Sequence, residues 1–189
     1  LVDAAADGEA ICEVKYDGAR VQIHKQGEEI RLFTRRLEDI TEQFPDVVAA
    51  VRAGVTAESA ILDGELVGYT PETVTDDREP VPFQRFSQRI KREDGVEAMA
   101  RDVPVVVHLF DCLYDGETLI ETPFGERIDR LEATFEDVAV RPDEPRAGLE
   151  RSRALTASVD TDDEADPGEM TAPDAVTDLY REALDSGHE

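Results

Sequence analysis

A lysine beside a tight turn is the residue of this chain best suited to covalent chemistry. It lies in residues 13–20, which read EVKYDGAR. Because residues two apart on a strand share a face, Glu13 and Lys15 are predicted to project together. A free lysine amine has a pKa of about 10.4, and desolvation or nearby positive charge favours its neutral, nucleophilic form. Lys15 is therefore a candidate nucleophile, and Arg20 and Arg35 are candidate activating charges.

The alternative for Lys15 is an ordinary surface salt bridge, which contributes no more than about 1 kcal/mol. The composition argues against that role. Of 20 basic residues, only Lys15, Lys25 and Lys91 are lysines. Arginine can replace lysine in a surface ion pair, but a guanidinium stays protonated and cannot act as a nucleophile. A lysine kept at position 15 therefore favours chemistry.

Two further segments carry groups that could bind a nucleotide. Asp63 and Glu65 stand two apart between apolar residues, so their carboxylates need partners. A ribose hydroxyl or Mg²⁺ would serve, because Mg²⁺ near phosphates takes one or two carboxylates; solvated acids at a turn are the alternative. Phe110 ends an apolar run and could stack on a purine, a contact of about 1–3 kcal/mol, or belong to the core.

Strands with helices inserted between them are predicted to position these groups. Alternation and turn residues predict strands at residues 11–15, 21–25, 30–34, 61–69 and 103–113, with a hairpin turn at Gln26-Gly27. Helical spacing predicts a helix from Thr41 to Gly54, one from Pro123 to Val138, and one that follows a Thr171/Asp174 capping pair and ends at Gly187. This layout predicts an α+β fold with antiparallel sheets and packed helices.

Charge sets this chain apart from ordinary globular proteins. It has 45 acidic residues against 20 basic ones, a formal net charge of -25. Such a surface stays hydrated in concentrated salt, where a Debye length of about 3 Å at 1 M screens self-repulsion. We expect a protein of a salt-rich cytoplasm; an acidic protein of an ordinary organism is the alternative. The acidic, aperiodic residues 160–169 are predicted to form a solvated loop.

Several classes of site receive no support from the sequence. Cys12 and Cys112 lack C-x-x-C spacing, so neither a disulfide nor a zinc site is expected. His24, His108 and His188 are too scattered for a metal site and are expected to be structural or exposed. We find no apolar run of about 18 residues and no signal-peptide pattern, so we expect a cytoplasmic protein without a membrane partner.

Four segments together resemble the nucleotidyl-transferase motifs of DNA ligases, RNA ligases and RNA-capping enzymes. Residues 13–20 look like motif I, 33–41 like motif Ia, 62–66 like motif III and 109–116 like motif IIIa. They follow one another in the family order. Their residues are most similar to those of archaeal ATP-dependent DNA ligases.

The resemblance implies a role for each candidate residue. Lys15 would carry AMP through a covalent bond. Glu13 would contact adenine, and Phe110 would stack on it. Arg20 would hold the ribose and the nick end, and Glu65 would serve the ribose and the metal. Arg35 would bind the 5′-phosphate. It further implies ATP and Mg²⁺ as cofactors and a monomer that seals nicked double-stranded DNA in replication, repair and recombination. A sliding clamp is a possible partner.

The resemblance also predicts the extent of the domain. Residues 187–189 look like the entry to motif IV, whose glutamate binds metal, which makes Glu189 a metal candidate. Residues 1–189 would then form an ATP-grasp-like adenylation domain that is incomplete at its C-terminus. Motif V, an oligonucleotide-binding (OB-fold) domain and an N-terminal DNA-binding domain would be absent. This exact chain is accordingly expected not to seal nicks by itself.

Two other functions stay open at this point. One is an RNA ligase or RNA-capping guanylyltransferase of the same superfamily. The other is a non-catalytic acidic module that faces a basic partner. A positive strip for DNA is predicted, with a solvated helix face as the alternative; its members are Arg20 and Arg35, joined by Arg85, Arg89 and Arg92.

Overall fold

The computed structural model describes residues 9–75, 78–92, 94–140, 147–158 and 174–188. The chain divides into two compact units, one formed by Leu1–Lys15 with Arg153–Glu189 and the other by Tyr16–Ser152. The strands are β1 (Glu9–Glu13), β2 (Ala19–Gln26), β3 (Glu29–Thr34), β4 (Ser59–Gly68), β5 (Val105–Tyr114), β6 (Gly148–Arg151) and β7 (Ala154–Ser158). The α-helices are α1 (Pro45–Gly54), α2 (Phe83–Ile90), α3 (Val96–Asp102), α4 (Phe124–Thr134) and α5 (Asp174–Asp185), and a 3-10 turn spans Thr41–Gln43.

A five-stranded sheet in the order β3-β2-β4-β5-β6 forms the second unit. Its pairings are antiparallel except between β5 and β6, which run parallel. The first half of β5 is buried on both faces, as its continuous apolar run predicted. The α+β class is therefore confirmed, with one parallel pair that the sequence did not predict.

Helix α1 shows why the helices of this unit pack on the sheet. Pro45 occupies its first turn, where a missing N–H costs nothing, and Val47, Ala50 and Val51 recur at helical spacing. All three side chains are buried in the main apolar core together with residues of the central strands. The helix predicted after Thr41 is thereby confirmed, although its first three residues form a 3-10 turn.

The first unit, taken by itself, is small. Strands β1 and β7 pair antiparallel with Ile11 opposite Thr156, and helix α5 belongs to the same unit. Gly187 follows α5 at φ 75°, and the N–H of His188 donates to the carbonyl of Ala183 at 2.8 Å. That left-handed residue ends the helix as predicted, while Thr171 of the predicted cap lies outside the described residues.

Three predicted boundaries were wrong. Strand β1 ends at Glu13, not Lys15. The hairpin turn consists of Gly27 and Glu28, because Gln26 still pairs with Glu29 in the ladder. The helix predicted as far as Val138 ends at Thr134, whose carbonyl accepts the N–H of Thr56 at 2.9 Å. Beyond it Phe135 and Val138 form isolated β-bridges to Val55 and Leu149, a tertiary pairing that the helical spacing could not reveal.

The predicted solvated loop at 160–169 lies outside the described residues. Among the described helices, none is both long and apolar enough to cross a membrane.

Candidate functional site

Lys15 lies in the first unit, two residues beyond the end of β1. The side chains of Glu13 and Lys15 are exposed, whereas Val14 between them is buried. The N–H of Val14 donates to the carbonyl of Arg153 at 3.0 Å, which fixes this segment against the chain at the start of β7. The alternation predicted from the sequence is therefore confirmed, although Lys15 follows the strand instead of ending it.

Arg20 and Asp63 form an ion pair across β2 and β4 of the second unit. The Arg20 Nη2 to Asp63 Oδ2 distance is 2.5 Å, and the Asp63 side chain is buried. The hydrogen bond to Asp63 raises the pKa of Arg20, so this guanidinium is a fixed positive charge. Gln22 Nε2 lies 3.5 Å from the other Asp63 oxygen. Asp63 thus has a protein partner, which leaves Glu65 as the carboxylate suited to a ligand.

Glu65 stands opposite Arg20 in the β2–β4 ladder. Burial raises the pKa of Glu65 to about 7, although the positive charge of Arg20 acts in the opposite direction. Asp17 raises it further, and a hydrogen bond from the backbone N–H of Gly18 lowers it. A partly buried carboxylate that is costly to ionise gains most from a cation or a hydroxyl group.

Gly18 is required by the close approach of the turn to β4. A Cβ atom added at Gly18 would lie 2.2 Å from the carbonyl oxygen of Leu66 and 3.1 Å from the Cγ of Glu65. No side chain fits there, so only glycine lets the backbone N–H reach the Glu65 carboxylate. The glycine of the EVKYDGAR segment is therefore explained by the packing of the turn against the sheet.

Phe110 owes its position to an irregularity in β5. In the β4–β5 ladder Asp63 pairs with Asp111 but Gly64 pairs with Leu109, so Phe110 is an extra residue on its strand. Such a bulge turns a side chain away from the regular alternation, and bulges are common beside active sites. Phe110 is half-buried, and the Arg20 guanidinium carbon lies 5.7 Å from its ring centroid. Its ring retains exposed surface for stacking.

Asp111, the neighbour of Phe110, has a structural role. Its two carboxylate oxygens accept hydrogen bonds from Arg127 Nε at 2.8 Å and Nη2 at 3.0 Å. This bidentate pair ties α4 to β5 next to the bulge.

Arg35 lies at the edge of a small cationic cavity in the second unit. The cavity has a volume of about 210 Å³ and is lined by Arg20, Gln22, Thr34, Arg35, Leu37 and Asp63. Among the described residues, no carboxylate forms an ion pair with the Arg35 guanidinium. Pockets for whole small molecules are typically ~300–1,000 Å³, so this one suits a single phosphate group. The structure therefore brings together Arg20 and Arg35, which the sequence had proposed jointly as activating charges.

Sequence reasoning missed a buried polar network that is centred on His108. The rings of Tyr16 and His108 stack with centroids 3.8 Å apart. His108 Nε2 lies 2.9 Å from the Tyr69 hydroxyl, and its Nδ1 lies 3.0 Å from Glu150. Glu150 also pairs with Arg78 at 2.6 Å. Burial lowers the pKa of His108, which favours the neutral ring, although the nearby Glu150 carboxylate acts in the opposite direction.

The predicted positive strip is wrong for one of its five arginines, Arg89. The Arg89 side chain is fully buried and pairs with Asp46 at 2.6 Å. Arg85 and Arg92 instead donate to the backbone carbonyls of Asp102 and Asp94. A strip of three guanidinium groups facing solvent is therefore not present on α2. Arg89 belongs to the core.

Glu189, the second metal candidate, lies outside the described residues. Within the described ranges no cluster of three or more His, Cys, Asp or Glu side chains is arranged to hold a metal ion. Glu65 is consequently the metal candidate that the structure describes. Its high cost of ionisation fits a cation, and a magnesium ion near phosphates takes only one or two carboxylates.

Comparison with known proteins identifies the family of this chain. The family model "ATP dependent DNA ligase domain" matches residues 1–189. The chain is 44% identical over 187 residues to a DNA ligase of Methanopyrus kandleri, covering 98% of this chain and 29% of that relative. It is 42% identical over 183 residues to a DNA ligase of Natronomonas pharaonis, covering 96% of this chain and 28% of that relative. It therefore spans less than a third of the length of these relatives.

Solved structures support the fold. A mycobacterial DNA ligase D complexed with ATP and MES matches with a TM-score of 0.56 at 21% identity, covering 96% of this chain and 46% of that one. The ligase domain of M. tuberculosis LigD matches with a TM-score of 0.54 at 22% identity, covering 96% of this chain and 45% of that one. The chain belongs to the ATP-dependent DNA ligase domain family.

Proposed function

We propose that this chain is the part of an ATP-dependent DNA ligase that accepts AMP, with Lys15 as the nucleophile. The observation that carries the proposal is the family match over residues 1–189, within which Lys15 is one of only three lysines. Lys15 is exposed two residues beyond the end of β1, and Gly18, three residues later in the sequence, cannot be replaced without a clash. An exposed ion-pairing role would be open to arginine as well.

In the proposed first step the neutral amine of Lys15 attacks the α-phosphorus of ATP. A nitrogen–phosphorus bond forms and the amine loses a proton. The bond from the α-phosphorus to the oxygen that bridges the α- and β-phosphates breaks, and pyrophosphate leaves with that oxygen. In the second step an oxygen of the 5′-phosphate at a nick attacks the phosphorus of AMP. A phosphorus–oxygen bond forms, the nitrogen–phosphorus bond breaks, and the Lys15 amine recovers a proton. In the last step the 3′-hydroxyl attacks that phosphate, a phosphodiester bond forms and AMP leaves.

The other site residues bind and orient the reacting groups in this proposal. Glu13 contacts adenine and Phe110 stacks on it. Arg20 and Glu65 hold the ribose, and Arg20 also contacts the nick end. Arg35 binds the 5′-phosphate. Support for these roles comes from the bulge that leaves the Phe110 ring partly exposed and from the cavity that Arg20 and Arg35 share.

Magnesium fits the chemistry of Glu65 and would be held by that carboxylate together with phosphate oxygens and water, with Glu189 as the second proposed ligand. When bound, it would neutralise charge that develops on the phosphates. The contribution of the chain itself is to keep Glu65 partly desolvated and to keep Arg20 fixed on Asp63.

The proposed biological setting follows from the family and the composition. We propose nicked duplex DNA as the substrate, in replication, repair and recombination, by a monomer that could work with a sliding clamp. We also propose a salt-rich cytoplasm, because a net charge of -25 with three lysines is suited to concentrated salt.

The test is covalent labelling of the complete gene product with α-labelled ATP. Lys15→Arg keeps the charge but removes the nucleophile, so labelling is expected to be lost. Lys91→Arg is the matched control, because it makes the same replacement at an exposed lysine outside the site and should leave labelling intact. Labelling that survives in the Lys15→Arg variant would refute the assignment. Labelling by GTP instead of ATP would favour a capping enzyme. The absence of labelling with either nucleotide would favour an acidic interaction module.

A further inference from the structure

Leu37 has an unusual backbone conformation and an exposed side chain. Among the described residues it is the one non-glycine residue with a positive φ, 61°. Its side chain is 71% exposed. A bulky residue in the left-handed region is disfavoured relative to glycine or asparagine, and such residues cluster at functional sites. Neither core packing nor backbone preference explains a leucine at this position.

The turn that carries Leu37 is held in place by hydrogen bonds. The N–H of Leu37 donates to the carbonyl of Thr34 at 2.8 Å, and the N–H of Thr34 donates to the carbonyl of Glu38 at 2.9 Å. The Thr34 hydroxyl accepts the N–H groups of Arg36 at 3.3 Å and Glu38 at 3.2 Å. Thr34 thus fixes the turn on both sides of Leu37. The exposed leucine is presented by an ordered turn at the end of β3.

The surroundings of Leu37 indicate what it could contact. It lines the same cavity of about 210 Å³ as Arg20 and Arg35, which suits a phosphate group. A leucine side chain cannot bind phosphate. The group joined to a 5′-phosphate in DNA is a deoxyribose, whose C–H atoms offer an apolar surface, so an apolar side chain at the cavity edge complements the sugar.

We propose that Leu37 packs on the deoxyribose of the nucleotide whose 5′-phosphate occupies this cavity, and so positions the nick end. The inference rests on the proposed function, because it takes the phosphate to be that of a nick. Leu37 is a positioning residue in this account, and the arginines supply the charge. Its contribution to binding comes from apolar contact and is independent of salt screening.

Two replacements of Leu37 separate the side chain from the backbone. Leu37→Gly removes the side chain and relieves the disfavoured φ, so the fold should be no less stable. Leu37→Ala removes the side chain but keeps the strain. Both should weaken nick binding by about tenfold, the scale of burying one leucine side chain. Neither changes charge, so the salt dependence of binding should stay as in the wild type, whereas Arg35→Gln should lower its slope by about one.

The experiment measures binding of the adenylylated complete gene product to a nicked duplex with a 5′-phosphate and a dideoxy 3′ end, which cannot be sealed. Affinity is followed over the salt range in which it falls. Ile120→Ala is the matched control, because Ile120 is 68% exposed but lies outside the cavity lining. We expect wild-type affinity for this control, and unchanged self-adenylylation rates for both Leu37 variants.

The possible outcomes separate the two proposals. Wild-type nick affinity in Leu37→Gly, an equal loss in Ile120→Ala, or a parallel loss of self-adenylylation in the Leu37 variants would overturn the role of Leu37. A wild-type protein that accepts no AMP would instead contradict the proposed function, and this inference would fall with it. Normal adenylylation with unchanged Leu37→Gly binding would contradict this inference alone.

Discussion

The buried ion pair between Arg89 and Asp46 should be a strong determinant of stability. Their side chains are 0% and 3% exposed, and Nη2 of Arg89 lies 2.6 Å from Oδ1 of Asp46. Arg89 also donates to the carbonyl of Val103 at 2.9 Å, and its guanidinium carbon lies 4.6 Å from the centre of the Phe44 ring. The pair joins α1 to α2 on the sheet. We predict that Asp46→Asn and Arg89→Met each destabilise the fold severely.

The magnitude follows from the near-complete burial of both groups. Removal of one partner leaves the other charge desolvated and unpaired, which costs about 3–5 kcal/mol. A domain is commonly stable by only about 5–15 kcal/mol, so either single replacement should bring this one close to unfolding. The double variant removes both charges together. Its loss of unfolding free energy should be smaller than the sum of the two single losses, by at least about 2 kcal/mol.

Urea unfolding in concentrated salt measures the three variants against the wild type. Single losses below about 1 kcal/mol, or a double loss equal to the sum, would refute the argument from burial. Nick binding by the complete gene product is an independent check. Because Arg89 is 1% exposed, Arg89→Met should lower the folded fraction without changing the affinity of the folded protein or its salt dependence.

Three other predictions concern salt, acid and the turn at residue 18. Ligation by the complete gene product should rise with added salt before it falls, because a net charge of -25 opposes a polyanionic substrate; a steady decline from zero salt would contradict the proposed saline setting. Burial alone would raise the pKa of Glu150, but His108 and Arg78 outweigh burial and lower that pKa from 4.5 to about 2. Ionised Glu150 therefore stabilises the fold above pH 4.5, and this stabilisation is lost as the pH falls towards 2. Glu150→Gln should therefore show a smaller loss of unfolding free energy over that range than the wild type, and equal losses would exclude the network as its source. Gly18→Ala should destabilise the fold by about 1–3 kcal/mol in thermal unfolding and weaken magnesium-dependent adenylylation, because its Cβ would meet the Leu66 carbonyl at 2.2 Å; wild-type values for both would show that the turn can move.

Local patterns predicted much of the site-bearing structure. Alternation along β4 placed Glu65 on a strand. The strand predicted at residues 21–25 began one residue after Arg20, which the ladder sets directly opposite Glu65. The exposed, buried, exposed order at residues 13–15 also followed from alternation. These features depend on neighbours in sequence, which is why they could be derived before the fold was known.

Features that depend on distant pairings could not be derived in this way. The bulge at Phe110 arises from its register against β4, and a single strand carries no sign of that register. Arg89 was expected at the surface because arginines are usually solvated. It is buried in an ion pair with Asp46, which lies 43 residues away in the sequence and could not be recognised as its partner. The His108 network joins four separate parts of the sequence, at residue 16, residues 69–78, residue 108 and residue 150. The roles assigned to the site residues all stay predictions, namely those of Glu13, Lys15, Arg20, Arg35, Glu65, Phe110 and Glu189.

The proposal depends above all on Lys15 as the carrier of AMP. The most direct measurement is to incubate the complete gene product with ATP and magnesium, digest it without strong acid, and map the adenylyl group by peptide mass spectrometry. We predict one AMP adduct on Lys15, held by an acid-labile phosphoramidate bond and released when nicked DNA is added. An adduct on Lys25 or Lys91, or the absence of any adduct while nicks are sealed, would contradict the assignment.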